Sequence, residues 1–261
     1  MRFFTQKLMI VFFGSFLHLH ALTTLTVNTM GDSNIGAGGT FGGSSGDLRG
    51  VLNYLNQSAP VDTYDIVFAL GTNNTINLGA MLPLINLTQT YTINIDGANG
   101  ADPQIILDGV NTYRGFYVRQ GTVSFQNMTI QNVFAQGGTG GGGGMGAGAA
   151  LFVDTANSVT LTNVTISNAN VMGGSGGGGY APSLSPTGGG GLGGDGAING
   201  GGGGIGGVGG AGSSTSAPYV GGGGGGINCG ASHTGTGGAG SAASVFPGLA
   251  GGGVGGASGG Q

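Results

Sequence analysis

Two ten-residue stretches of this chain lie over each other without a gap at an offset of 36 residues. Val123-Ser124-Phe125-Gln126-Asn127-Met128-Thr129-Ile130-Gln131-Asn132 matches Val159-Thr160-Leu161-Thr162-Asn163-Val164-Thr165-Ile166-Ser167-Asn168, with Val, Asn, Thr, Ile and Asn identical. Apolar residues alternate within each stretch, the period of a strand with one buried face. The alternation then changes phase: Val123 and Phe125 share one parity, Met128 and Ile130 the other. A phase change across Asn127 means that the chain bends there and starts a new strand facing the same interior. Asn tolerates the left-handed backbone that such corners need. Repetition one layer on, with Asn163 at the bend, predicts apolar residues stacked inside and Asn on Asn at the corner.

Thirty-six residues is long for one coil of a solenoid. The excess lies in Gly137–Gly148, which is nearly pure Gly and supplies no core. Read as a flexible loop leaving the coil, it reduces the repeat to about 24 residues, a plausible three-strand turn. Ala150-Leu151-Phe152-Val153 then serves as the third strand, and a turn over Asp154–Ser158 opens the next coil. Upstream, Ile93–Asp96 and Ile105–Asp108 are strands closed by Asp-Gly turns, and Gly115–Val118 adds another. Such a stack needs a cover over its first coil, because exposed apolar layers and free strand edges invite aggregation. Leu48, Val51, Leu52 and Leu55 fall at i, i+3, i+4 and i+7, an amphipathic helix with Asp47 as N-cap that can supply it.

The expected fold is therefore all-β: a right-handed parallel β-helix with a short amino-terminal capping helix and Gly-rich loops and tail. Its parts are a signal peptide (1–21), an amino-terminal cap and first strands (22–90), parallel β-helix coils (91–172) and a Gly-rich region (173–261). That last part is expected to be degenerate coils or flexible low-complexity chain, since Gly gives little to bury and loses most entropy on ordering. The signal assignment rests on Arg2 and Lys7 before the apolar run Leu8–Leu19 and small Ala21, a run too short to span a membrane. No other stretch is apolar for long enough to form a transmembrane helix.

Of 261 residues 67 are Gly, charged residues make up 5%, Glu is absent, and every Lys and Arg precedes position 120. No basic patch exists to hold phosphates, so no nucleic acid is expected as a partner. The lone Cys229 excludes an intrachain disulfide framework.

Several segments resemble a known group. Leu25-Thr26-Val27-Asn28-Thr29, Gly46-Asp47-Leu48-Arg49-Gly50-Val51-Leu52, Asp65-Ile66-Val67-Phe68 and Thr75-Ile76-Asn77-Leu78 look like the opening of certain bacterial β-helix proteins. There a Cys-Ser-Leu-Arg-Glu-Ala-Ile element precedes pectin-lyase-like coils; this chain keeps Leu48-Arg49 of it. The Gly-rich blocks are similar to those of polymorphic outer-membrane proteins and autotransporter passengers, which carry Gly-Gly-Ala-Ile tetrapeptides. Gly148-Ala149-Ala150-Leu151 and Asp195-Gly196-Ala197-Ile198 are the nearest counterparts here. The resemblance implies an exported passenger displayed by a carboxy-terminal β-barrel. No barrel-like run of strands precedes Gln261, so the expectation is a fragment lacking its barrel, or a released product.

Pectin-lyase-like folds also carry polysaccharide lyases and glycoside hydrolases, so the acidic and basic residues of the coils need weighing. A hydrolase needs paired carboxylates, and a lyase needs Ca²⁺-binding acids with a base. Asp96, Asp102, Asp108, Arg114 and Arg119 are the candidates. Asp96 and Asp108 each precede Gly, which is ordinary turn chemistry; Arg114 and Arg119 flank a short strand and read as solvated. His18 and His20 fall in the signal peptide and His233 stands alone, so no metal-ligand spacing exists. The sequons at Asn56, Asn73, Asn86, Asn127 and Asn163 read as products of an Asn- and Thr-rich composition. No catalytic, cofactor or metal site is therefore expected. The expected function is that of a cell-surface, outer-membrane or extracellular structural or adhesive protein with host-cell, matrix or glycan ligands. The alternative is a polysaccharide lyase or glycoside hydrolase on the same fold.

Overall fold

A computed structural model describes residues 22–32, 45–58, 63–87, 91–100, 104–156, 158–176, 190–196 and 203. The expected signal peptide, Asp102, Cys229, the three histidines and most of the Gly-rich region lie outside the described residues.

The elements run β1 (Leu22–Thr29), β2 (Ser45–Asp47), α1 (Leu48–Ser58), β3 (Thr63–Phe68), β4 (Thr75–Asn77), β5 (Ile85–Asn86), β6 (Thr92–Asp96), β7 (Ile105–Asp108), β8 (Phe116–Gln120), β9 (Thr122–Gln136), β10 (Leu151–Val153) and β11 (Ser158–Met172). The chain is all-β, with one helix among the described residues and its strands in two parallel sheets. The larger has the order β2-β1-β3-β6-β9-β7-β4, with β11 also on β9; the smaller is β10-β8-β5.

Register explains why the sheets look this way. β9 pairs with two of the strands before it, Thr122–Gln126 lying on β6 and Met128–Gln131 on β7. β3, β4 and β5 pair in turn with β6, β7 and β8, and β8 pairs with β10. All of these pairs are parallel. Parallel pairing of the same kind also joins β1 to β3, upstream of position 91.

One register position shows what holds the layers. Leu25 lies on Ile66, Ile66 on Ile95, Ile95 on Phe125, and Phe125 on Leu161. The first four are at most 1% exposed. Burial of such side chains contributes about 1.5–3 kcal/mol each, so a column of four outweighs any single polar contact in the stack.

The bends predicted at Asn127 and Asn163 are present, with φ of 50° and 53°. A second pair, Asn132 and Asn168 (φ 51° and 49°), turns the chain again five residues on. The expectation contained only the first corner. At both corners the amides run in one direction. Asn163 Nδ2 donates to Asn127 Oδ1 (2.9 Å), and Asn127 Nδ2 donates to Asp96 Oδ1 (2.9 Å). Asn168 Nδ2 donates to Asn132 Oδ1 (3.0 Å), and Asn132 Nδ2 donates to Asp108 Oδ2 (2.8 Å).

Asn132→Ala places a Cβ-bearing residue with no compensating amide in the left-handed region and removes two hydrogen bonds. It is expected to cost about 2–3 kcal/mol. Asn132→Gly, which relieves the backbone but not the bonds, should cost less; chemical denaturation measures both. An equal loss in the two variants would show that the backbone conformation contributes nothing.

Asp47 caps the helix as expected, its Oδ1 accepting from the Gly50 amide (2.6 Å). Leu48, Val51, Leu52 and Leu55 are all at most 2% exposed, and α1 packs against β1, β2 and β5. The far end of the stack differs. Among the described residues β11 pairs with β9 alone, and Leu161, Ile166, Val171 and Met172 are 45–56% exposed.

Gly137–Gly148, expected as a flexible loop leaving the coil, makes backbone contacts that the expectation did not contain. This segment packs backbone to backbone against 173–176 and 190–196. Gly138 N donates to Gly191 O (2.9 Å), Gly174 N to Gly144 O (2.9 Å), Gly190 N to Gly142 O (2.7 Å) and Gly196 N to Thr139 O (2.7 Å). The approach is so close that a Cβ on Gly138 would overlap the Gly194 carbonyl, and one on Gly174 the Gly138 carbonyl. Absence of side chains is what lets these segments meet, and their amide hydrogen bonds offset the entropy that Gly loses on ordering.

Candidate functional site

Alternation along β8 divides its side chains. Phe116 and Val118 enter the main core, at most 1% exposed, whereas Tyr117 and Arg119 lie on the opposite face. On that outer face Tyr117 and Leu84 are buried in a small second cluster, with Phe152 and Leu192 packed against it. Register puts Phe152 of β10 beside Tyr117, and their rings meet edge to face, centroids 5.0 Å apart at 87°. Such a pair is worth about 0.5–1.5 kcal/mol beyond its burial.

Polar groups surround the rings. The Tyr117 hydroxyl donates to Asp154 Oδ2 at 3.4 Å, and Arg119 Nε is 4.0 Å from the same oxygen. Asp154 is held at the end of β10 by its amide on Val118 O (2.9 Å). Burial, reinforced by the Asp154 charge, pushes the Tyr117 phenol up to about 12. The guanidinium carbon of Arg114 lies 5.5 Å from the Phe152 ring centroid. Arg114 is placed by its neighbour Gly115, whose amide bonds Ala149 O (2.8 Å) where the glycine segment rejoins the stack.

The structure brings Arg114 and Arg119 to this face, but not as the solvated pair read from sequence. Arg114 is 4% exposed. Tyr117, Phe152 and Asp154 complete the cluster; the parity of Tyr117 and Arg119 along one strand was a usable signal for the first. Asp96 and Asp108 stand elsewhere, each at the foot of one Asn column. Asp108 also accepts from Gln131 (2.9 Å) and from the Val110 amide (2.8 Å). Burial raises the Asp108 carboxyl, but these donors outweigh it and hold the group below its ordinary value. Among the described residues no group of three or more His, Cys, Asp or Glu is placed to hold a metal, and no helix is long and apolar enough to cross a membrane.

No family model, curated protein or solved structure matches this chain. What the arrangement can do must come from its own geometry. That geometry is an apolar, aromatic face bearing two guanidinium groups and one carboxylate.

Proposed function

We propose that the chain is an exported right-handed parallel β-helix that acts as a structural and adhesive stalk at the cell surface or outside the cell. The parallel pairing of β3, β4 and β5 in turn with β6, β7 and β8 supports the solenoid. Its hand follows from the rule that crossovers between parallel strands of one sheet are right-handed, with α1 as the cap of the first layer. Export is the reading of residues 1–21.

The observation that carries the stalk reading is the employment of the acids. Each Asp among the described residues accepts a structural hydrogen bond: Asp32 from Arg49, Asp47 from Gly50, Asp65 from Asn94, Asp96 from Asn127, Asp108 from Asn132, Asp154 from Tyr117 and Asp195 from Thr139. A carboxylate used this way fixes layers to one another; a hydrolase or lyase needs acids open to substrate. Contacts with host-cell, matrix or glycan ligands then fall to the outer faces and side loops.

Purified protein is expected to bind at least one of cultured host cells, matrix proteins or a glycan array, while releasing no unsaturated or reducing sugar from pectin-like polymers. Failure to bind on all three surfaces rejects the adhesive part. Sugar release that disappears in Asp108→Ala rejects the whole reading in favour of a carbohydrate-active enzyme.

A further inference from the structure

Among the described residues, Arg114 is a buried cation without an anion. It is 4% exposed, its Nη1 has no hydrogen-bond partner, and no hydrogen bond or ion pair joins it to any described residue. Its one evident compensation is the Phe152 ring at 5.5 Å. A cation–π contact of this kind contributes at most about 2 kcal/mol, whereas taking an ion out of water costs several kcal/mol. Arginine does not escape by losing its proton, because its pKa lies far above neutrality. Asp154 does not serve either: its Oδ2 holds the Tyr117 hydroxyl and faces Arg119. Arg114 is thus left without a countercharge among the described residues.

We propose that this outer face of β5, β8 and β10 is a binding site for a carboxylate group, which Arg114 receives through its unoccupied donor. The guanidinium fork matches the planar, two-oxygen geometry of a carboxylate. Tyr117, Phe152 and Leu84 supply an apolar wall for the body that carries it. At the rim of this face Arg119 and Asp154 keep 22% and 30% of their side-chain surface. The ligand is a small free carboxylic acid or the uronate of an acidic polysaccharide. The assignment stands apart from the stalk reading, and its failure leaves that reading intact.

The test is thermal unfolding and calorimetric titration of the full chain with sodium acetate and with polygalacturonate, ionic strength held constant with chloride. Acetate is expected to raise the unfolding midpoint above the equal-chloride control. A rise with polygalacturonate as well assigns the polysaccharide as source; a rise with acetate alone assigns the small acid. Arg114→Met, which removes the unpaired charge and keeps the stem, is expected to be at least as stable as the parent without carboxylate and to show no acetate shift. Arg114→Lys keeps the charge without the fork and should bind acetate about tenfold more weakly; it also covers the case in which the Met variant does not fold. Asp154→Asn removes a negative charge that repels an incoming carboxylate from this face and should tighten binding. The proposal is overturned if chloride produces the same shift as acetate, if neither carboxylate produces one, or if the shift survives in Arg114→Met.

Discussion

Asp32→Ala is expected to destabilise the chain by about 3–5 kcal/mol, the loss typical when one partner of a buried ion pair is removed. Asp32 and Arg49 meet as a two-pronged pair, Nε on Oδ1 at 2.5 Å and Nη2 on Oδ2 at 2.7 Å, with side chains 4% and 5% exposed. Arg49 also donates to Met81 O and Ala80 O (2.9 Å each), and Asp32 accepts from the Gly79 amide at 2.7 Å. The pair therefore ties helix α1 to the turn that leads into β5. Removing Asp32 leaves a guanidinium buried against two carbonyls, so the loss exceeds that of an ordinary hydrogen bond. Asp32→Ala combined with Arg49→Met should recover part of it, because no charge is then stranded. A double variant as unstable as the sum of the singles would argue against the pairing.

The same pair sets an acid limit. Burial raises the Asp32 carboxyl, but the Arg49 bonds and the Gly79 and Ala80 amides outweigh it and hold the group below its ordinary value. A carboxyl depressed by folding contributes stability that is complete above its unfolded value and is lost as pH falls through the folded one. Asp108, depressed in the same direction, adds to the effect. Denaturation measured from pH 6 downward should show stability falling once pH drops below about 4, and Asp32→Ala should flatten that slope. An unchanged slope would place the acid sensitivity elsewhere.

The second large effect concerns a residue with no side chain. Gly138→Ala is expected to dislodge the glycine layer, with the midpoint falling and hydrogen-exchange protection disappearing at the amides of Gly137, Gly144 and Gly174. An added Cβ on Gly138 meets the carbonyl of Gly194 well inside van der Waals contact, and the obstructing atom is backbone. Overpacking against flexible side chains costs about 1–3 kcal/mol; a main-chain obstacle has no rotamer to yield, so the segment separates instead. Gly142 is the matched control, since nothing lies within 4 Å of its added Cβ. Gly142→Ala should leave protection intact. Similar behaviour of the two variants would mean that the layer does not persist in solution.

The parts of this molecule that were legible in its sequence are those in which side chains repeat. Phe125 over Leu161 and Asn127 over Asn163 announce themselves because every layer meets the same surroundings at the same register. The helix was legible for a related reason, with Leu48, Val51, Leu52 and Leu55 on one face and Asp47 at its start. The corner at Asn132 was harder: Val133-Phe134-Ala135 beyond it mixes a buried, a half-buried and a small residue, and blurs the phase change. The glycine layer was invisible, because backbone packing leaves no side-chain pattern and a run of Gly reads as entropy. Asp32–Arg49 joins residues 17 positions apart, a distance without periodic signature. The burial of Arg114 depends on how Ala149–Phe152 returns to β8, a tertiary fact absent from its neighbours Tyr113 and Gly115.

The one-way amides at the two corners have an electrical consequence. Each Asn carboxamide is a small dipole, and within each column all point the same way, N–H toward the earlier layer and oxygen toward the later one. Two parallel series of aligned dipoles add along the stack. Their positive ends rest on the carboxylates of Asp96 and Asp108, where the charges are attracted. Their negative ends emerge as the carbonyl oxygens of Asn163 and Asn168, five residues apart on β11. The layers from Asp96 and Asp108 to β11 are thus polarised, and the Asn163 and Asn168 oxygens favour side-chain donors over any acidic group.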